Sequence, residues 1–182
     1  MFELGDEEIS QPTPSDGWLN LTIRRAAIVY VVGLIVAGLF AGALWHWLST
    51  PPNYTIGDDQ GAIITEQGLS QTFAMDIWYV FIGLAVALAV GAFTWGLFHR
   101  LGWPVVLIAI VGALLVSVLC WQFGHLLGPR GFVDRIAWAK PGDRVPMDLD
   151  LHSAALVLVW PLVANVPVLL LALWSQWREA HR

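Results

Sequence analysis

The chain has 182 residues, of which 57% are hydrophobic and only 13% charged. Soluble domains carry roughly 25% charged residues, so this balance excludes an ordinary water-soluble domain and fits one embedded in lipid. The formal net charge of −5 leaves no basic footprint for nucleic acid, and Cys120, the single cysteine, excludes an intramolecular disulfide and reads as a buried structural thiol.

Met1–Thr22 begins polar and acidic, with Glu3, Asp6, Glu7 and Glu8 ahead of Gln11-Pro12-Thr13-Pro14. Such a segment is not expected to hold structure alone in water, so the four carboxylates are candidates for docking on a basic partner surface. Trp18, Leu19, Leu21 and Ile23 predict a short interfacial helix leading in, which makes residues 1–25 an N-terminal tail. Arg24 and Arg25 then precede an apolar run, Ala26–Leu48. A basic flank before an apolar run also describes a signal peptide, with Ala41-Gly42-Ala43 as a cleavage site. The run is too long for a signal core, and the expectation is an uncleaved first span.

Ser49–Asp76 reads as a loop. Pro51-Pro52 stops the helix, and Tyr54-Thr55-Ile56 and Ala62-Ile63-Ile64-Thr65 flank a Gly57–Gly61 turn as a small β-hairpin. Two further runs, Ile77–Phe98 and Trp103–Leu127, contain no Asp, Glu, Lys or Arg. Each exceeds the about 20 residues that cross a hydrocarbon core of about 30 Å. The short link His99-Arg100-Leu101-Gly102 makes them antiparallel neighbours.

In the second loop, Gly128–His152, Phe132, Val133, Ile136 and Ala137 recur at helical spacing and predict a short amphipathic helix on the membrane surface. Pro141-Gly142-Asp143 predicts a turn. The fourth span, Ser153–Trp174, contains Pro161 and Pro167 and should be kinked, with Asn165 between them answering carbonyls that the prolines release. Ser175–Arg182 is a short tail. The fold class is an all-α membrane protein with spans at about 26–48, 77–98, 103–127 and 153–174. Four spans put both termini on one side together with Arg24, Arg25, Arg100, Arg178 and Arg182, and the basic flank of the first span makes that side cytoplasmic, in a plasma membrane.

Eleven tryptophans form the strongest compositional signal. Trp45, Trp47, Trp78 and Trp121 fall near the outer ends of spans and Trp95, Trp103, Trp174 and Trp177 near the inner ends, the arrangement of interfacial aromatic belts. Small residues recur four apart at Gly38 and Gly42 in the first span and at Gly83, Ala87 and Gly91 in the second. That spacing lets helix backbones approach closely, against another part of the chain or another subunit.

His46, His125 and His152 lie near the outer ends of three different spans, with Asp76 at similar depth. Imidazoles on facing helices can hold haem or a metal. No HxxxH or ExxH pair reinforces them, so no cofactor is assigned and a haem- or metal-binding redox protein stays the alternative. Proton and ion paths are built from ionisable residues facing a bundle interior, and no span carries Asp, Glu, Lys or Arg. A small transporter or sensor is therefore the weaker alternative. Asp58 and Asp59 are explained by turn chemistry.

The β-prone loop running into Asp76-Ile77-Trp78, the Leu126-Leu127-Gly128-Pro129 exit, Gly142-Asp143-Arg144-Val145-Pro146 and Val159-Trp160-Pro161-Leu162 together resemble a family of small four-span actinobacterial membrane proteins of unassigned activity. In size, span count and acidic outer face the chain also resembles accessory subunits of the actinobacterial respiratory supercomplex, which joins a cytochrome bc-type complex to cytochrome oxidase. The resemblance implies a non-catalytic accessory subunit. Its expected partners are other integral membrane subunits and the lipid bilayer, with no nucleic acid, no small-molecule substrate and no enzymatic activity.

Overall fold

The computed structural model describes residues 14–57 and 61–181; Glu3, Asp6, Glu7, Glu8, Asp58 and Asp59 lie outside the described residues. Among the described residues five α-helices run in chain order as α1 (Pro14–Leu48), α2 (Glu66–Phe98), α3 (Pro104–Leu127), α4 (Phe132–Trp138) and α5 (Val159–Ala180). Among the described residues four helical stretches are long and apolar enough to cross a membrane: Ile23–Leu48, Glu66–Leu101, Pro104–Trp138 and Ala154–Arg178. The molecule is thus built as a multi-pass membrane protein.

Two helices are longer than the apolar runs that announce them. Helix α1 passes without a break through Arg24 and Arg25, so the lead-in and the first span are one rod. Helix α2 starts at Glu66, inside the expected loop, because Thr65 caps it: the Thr65 hydroxyl accepts from the Gly68 backbone N–H at 3.1 Å. Its 33 residues reach about 50 Å at about 1.5 Å per residue, well beyond a hydrocarbon core of about 30 Å. The link to α3 is a 3-10 turn over His99–Leu101, closed by Gly102 at φ 74, and Pro104 opens α3 at a position that needs no N–H. The fourth crossing begins as a 3-10 segment, Ala154–Leu158, before becoming α5.

Helices α2 and α3 stand between α1 and α5, and each packs against both. The small-residue rows face these internal seams. A Cβ on Gly38 would lie 2.7 Å from Leu119 Cβ, and one on Gly42 would lie 2.8 Å from the Cys120 carbonyl oxygen, so the first row closes α1 onto α3. On α2, Gly83 receives the Trp160 indole and Gly91 receives the α5 backbone, with the Ala164 carbonyl oxygen 2.0 Å from where a Cβ would be. Ala87, between them, is fully buried.

Asn165 acts differently from the expectation. Pro167 has no N–H and so releases the carbonyl of Val163, while Pro161 lies in the first turn of α5, where no N–H is needed. The Asn165 amide instead donates to the carbonyl of Pro161, at 2.7 Å. It reinforces its own turn rather than repairing the gap at Pro167.

Candidate functional site

The two long loops meet at one end of the bundle and form a structured cap. Strands β1 (Asn53–Ile56) and β2 (Ala62–Ile63) make the expected antiparallel hairpin, with Thr55 opposite Ile63. A third strand, β3 (Arg144–Pro146), pairs antiparallel with the other edge of β1, with Tyr54 opposite Val145. Gly142, at φ 91, turns the chain into β3 and donates to the Ile56 carbonyl at 2.8 Å. Ile56 and Val145 of the sheet are buried, and Leu149 is buried in the core of the bundle.

The segment Asp148-Leu149-Asp150-Leu151-His152 fastens this cap to the bundle. The Asp148 carboxylate accepts from the backbone N–H of Phe132 at 3.2 Å and from Arg135 Nη2 at 2.7 Å, holding both ends of the first turn of α4. Asp150 accepts from the Trp121 indole at 2.8 Å, and His125 Nδ1 donates to the Leu149 carbonyl at 2.8 Å, so both reach α3. The His152 backbone N–H donates to Asp76 on α2 at 3.3 Å, with the ring Nδ1 3.6 Å from the same oxygen. Leu149 fits against Gly128, where a Cβ would come within 2.7 Å. Alternation of polar and apolar residues from Asp148 to His152 was the available signal for this clasp, as it is for any half-buried extended segment.

These contacts separate the three histidines. His125 is committed to Leu149, His152 to Asp76, and His46 Nδ1 is buried without a partner. Among the described residues no group of three or more His, Cys, Asp or Glu side chains could together hold a metal ion.

Helix α4 lies against the sheet through Phe132, whose ring centroid is 5.0 Å from that of Tyr54. Its other side is bare: Val133 is 78% and Trp138 89% exposed. Beside it Asp134, Arg135, Trp138, Asp143 and Arg144 line an open hollow of about 470 Å³.

Within the bundle several polar side chains bond to internal partners, whereas Trp160 Nε1 and Asn165 Oδ1 are buried without one. The Tyr30 and Thr94 hydroxyls are 2.8 Å apart, and Tyr30 also donates to the Ile108 carbonyl at 3.2 Å. Tyr79 donates to the Ser117 carbonyl at 2.9 Å. Trp45 corrects the belt reading. It is fully buried, its indole donates to the Met75 carbonyl at 2.9 Å, and Gly124 on α3 leaves the slot its ring occupies. Trp47, Trp103, Trp174 and Trp177 are exposed, as residues facing lipid headgroups would be.

No protein-family model, no curated protein and no solved structure matches the chain. The geometry itself defines a class: a four-span membrane bundle, closed internally by glycine contacts and finished at one end by a small sheet with an apolar helix on its surface.

Proposed function

We propose that this chain is a non-catalytic accessory subunit of a larger membrane complex, and that a respiratory assembly joining a cytochrome bc-type complex to cytochrome oxidase is its setting. One observation carries the reading. Helix α4 is anchored by Asp148 and Tyr54, yet turns Val133 and Trp138 fully outward. Exposed tryptophan is a residue type enriched at protein interfaces once covered, and Val133 adds exposed apolar surface on the same short helix. The four-span layout and the resemblance named above support the respiratory setting. The acidic residues Glu3, Asp6, Glu7 and Glu8 supply a second attachment, to a basic surface on the side of the termini.

In this reading the termini are cytoplasmic, following Arg24, Arg25, Arg100 and Arg178, and the cap faces outward from a plasma membrane. A Lys140→Cys variant is then labelled in intact cells by an impermeant thiol reagent and an Arg100→Cys variant is not; the opposite pattern reverses the orientation. The functional test is extraction from native membranes in mild detergent. Stoichiometric integral membrane partners are expected, with reduced retention in Trp138→Ala, and respiratory subunits among them. A lone monodisperse chain from its native host sinks the subunit reading, and partners of another kind sink the respiratory one.

A further inference from the structure

At membrane level α1 and α2 do not close on each other along their whole length. Two adjoining hollows of about 560 and 350 Å³ open between them, sharing Gly33, Ala37, Phe40 and Phe93. The floor is shallow side chain: Gly33 and Ala37 on α1 face Ala85 and Ala89 on α2. The wall at Phe93 is fixed, because its ring stacks on Tyr30 with centroids 5.7 Å apart.

Two features limit what fits. The first is length. Along α1 the groove runs from Ile28 to Phe40, about 18 Å at about 1.5 Å per residue. That is close to half of a hydrocarbon core of about 30 Å, one leaflet rather than the whole crossing a partner helix would need. The second is charge. Arg25, Val29, Val32, Val36 and Phe40 follow one another at helical spacing, so the apolar stripe ends, one turn below Val29, on an arginine. Arg24 is beside it. Arg100 stands at the same end of the bundle, since the Phe98 ring just before it meets Tyr30 edge-on with centroids 5.2 Å apart. All three arginines are exposed and, among the described residues, make no ion pair or side-chain hydrogen bond.

We propose that this groove binds an anionic phospholipid from the leaflet on the side of the chain termini, one acyl chain along Gly33, Ala37 and Ala89 and the phosphate at Arg24, Arg25 and Arg100. The inference rests on the membrane-spanning bundle alone and is independent of the subunit reading.

The test is native mass spectrometry of the purified full chain, incubated in detergent with phosphatidylglycerol or with phosphatidylcholine of identical acyl chains. Basic residues near a membrane surface each favour an anionic headgroup by about fivefold, so phosphatidylglycerol is expected to be retained about tenfold or more over phosphatidylcholine. The preference is expected to collapse in an Arg24→Gln, Arg25→Gln, Arg100→Gln variant. Ala89→Phe fills the groove at an exposed position and is expected to remove retained lipid of both kinds while leaving the thermal unfolding midpoint in place. Equal retention of the two lipids by the native chain overturns the proposal. So does a preference that survives the arginine substitutions, or one that survives Ala89→Phe, which would reveal a basic rim without an acyl site. A second copy of the chain displaced by Ala89→Phe would show a protein occupant, and a preference seen only after deletion of residues 1–13 would show that the arginines serve the chain's own acidic segment. Either result overturns the proposal as well.

Discussion

The seams of the bundle and the cap at its end hold together by different means. The seams are steric. Gly83 and Gly91 let α5 press directly on α2, and Gly38 and Gly42 do the same for α3 on α1. The cap is polar: Asp148, Asp150 and His152 each reach a different element through a hydrogen bond. In lipid, apolar side chains gain little by leaving the solvent for each other, so shape must decide which helices pair. In water the cap is too small to bury a large core, and satisfied polar contacts fix its arrangement instead.

The largest break in this contrast comes from the seam. Replacing Gly83 and Gly91 together with Ile places side chains where the Trp160 ring and the Ala164 carbonyl already are. Overpacking costs about 1–3 kcal/mol where neighbours can yield, and an α-helical carbonyl yields little. Loss of a monodisperse folded species in gel filtration is expected, and unchanged yield and elution would show that α2 and α5 do not rely on this contact.

Trp45→Ala tests the seam from its other side. The indole fills the slot opposite Gly124 and carries a hydrogen bond to Met75. Large-to-small core changes of this kind cost about 3–5 kcal/mol. A midpoint shift of that size in denaturant titration is expected, and a belt residue free in the headgroups would show almost none.

Asp148→Ala addresses the cap. It removes the acceptor for Phe132 N–H and the partner of Arg135, whose side chain is otherwise partly buried. Hydrogen bonds to charged groups contribute about 1.5–3 kcal/mol, and here both donors belong to one short helix. Faster amide exchange confined to α4 and β3 is expected, with the four long helices unchanged. Exchange rising throughout the bundle would mean that cap and seams are not separable.

The four spans were legible because uncharged runs of more than about 20 residues have no stable home in water. The hairpin was legible from Gly57–Gly61 between β-prone runs, and the α2 start was readable at Thr65, whose capping role the apolar run at Ile77 obscured. Strand β3 was not legible, since Arg144-Val145-Pro146 is too short to show alternation and pairs only because β1 offers an edge. The glycine rows announced close packing without naming the partner helices, which depends on chain topology rather than spacing. Trp45 was misplaced for a related reason: its depth fits a belt, and only the spatial neighbour Gly124 reveals the slot. The lipid groove was invisible as well, because Gly33 and Ala89 become one floor only when α1 and α2 stand side by side.

The smallest expected effect sharpens the comparison most, because it uses the same residue type on the same helix. Gly91 and Gly96 both lie in α2, one turn and a fraction apart. At Gly91 a Cβ meets the α5 backbone at 2.0 Å, whereas at Gly96 nothing lies within 4 Å. Glycine is less favourable than alanine in a helix interior by about 0.8–1.0 kcal/mol. Gly96→Ala is therefore expected to leave stability unchanged or raise it by up to about 1 kcal/mol, while Gly91→Ala lowers it. If thermal unfolding in detergent shows both alanines to be equally harmful, the cost arises from backbone flexibility in α2 and not from close contact, and the steric account of the seams is wrong. If the two separate in sign, the seam is a property of where a glycine sits relative to α5, and the abundance of glycine in these spans is not by itself what holds them together.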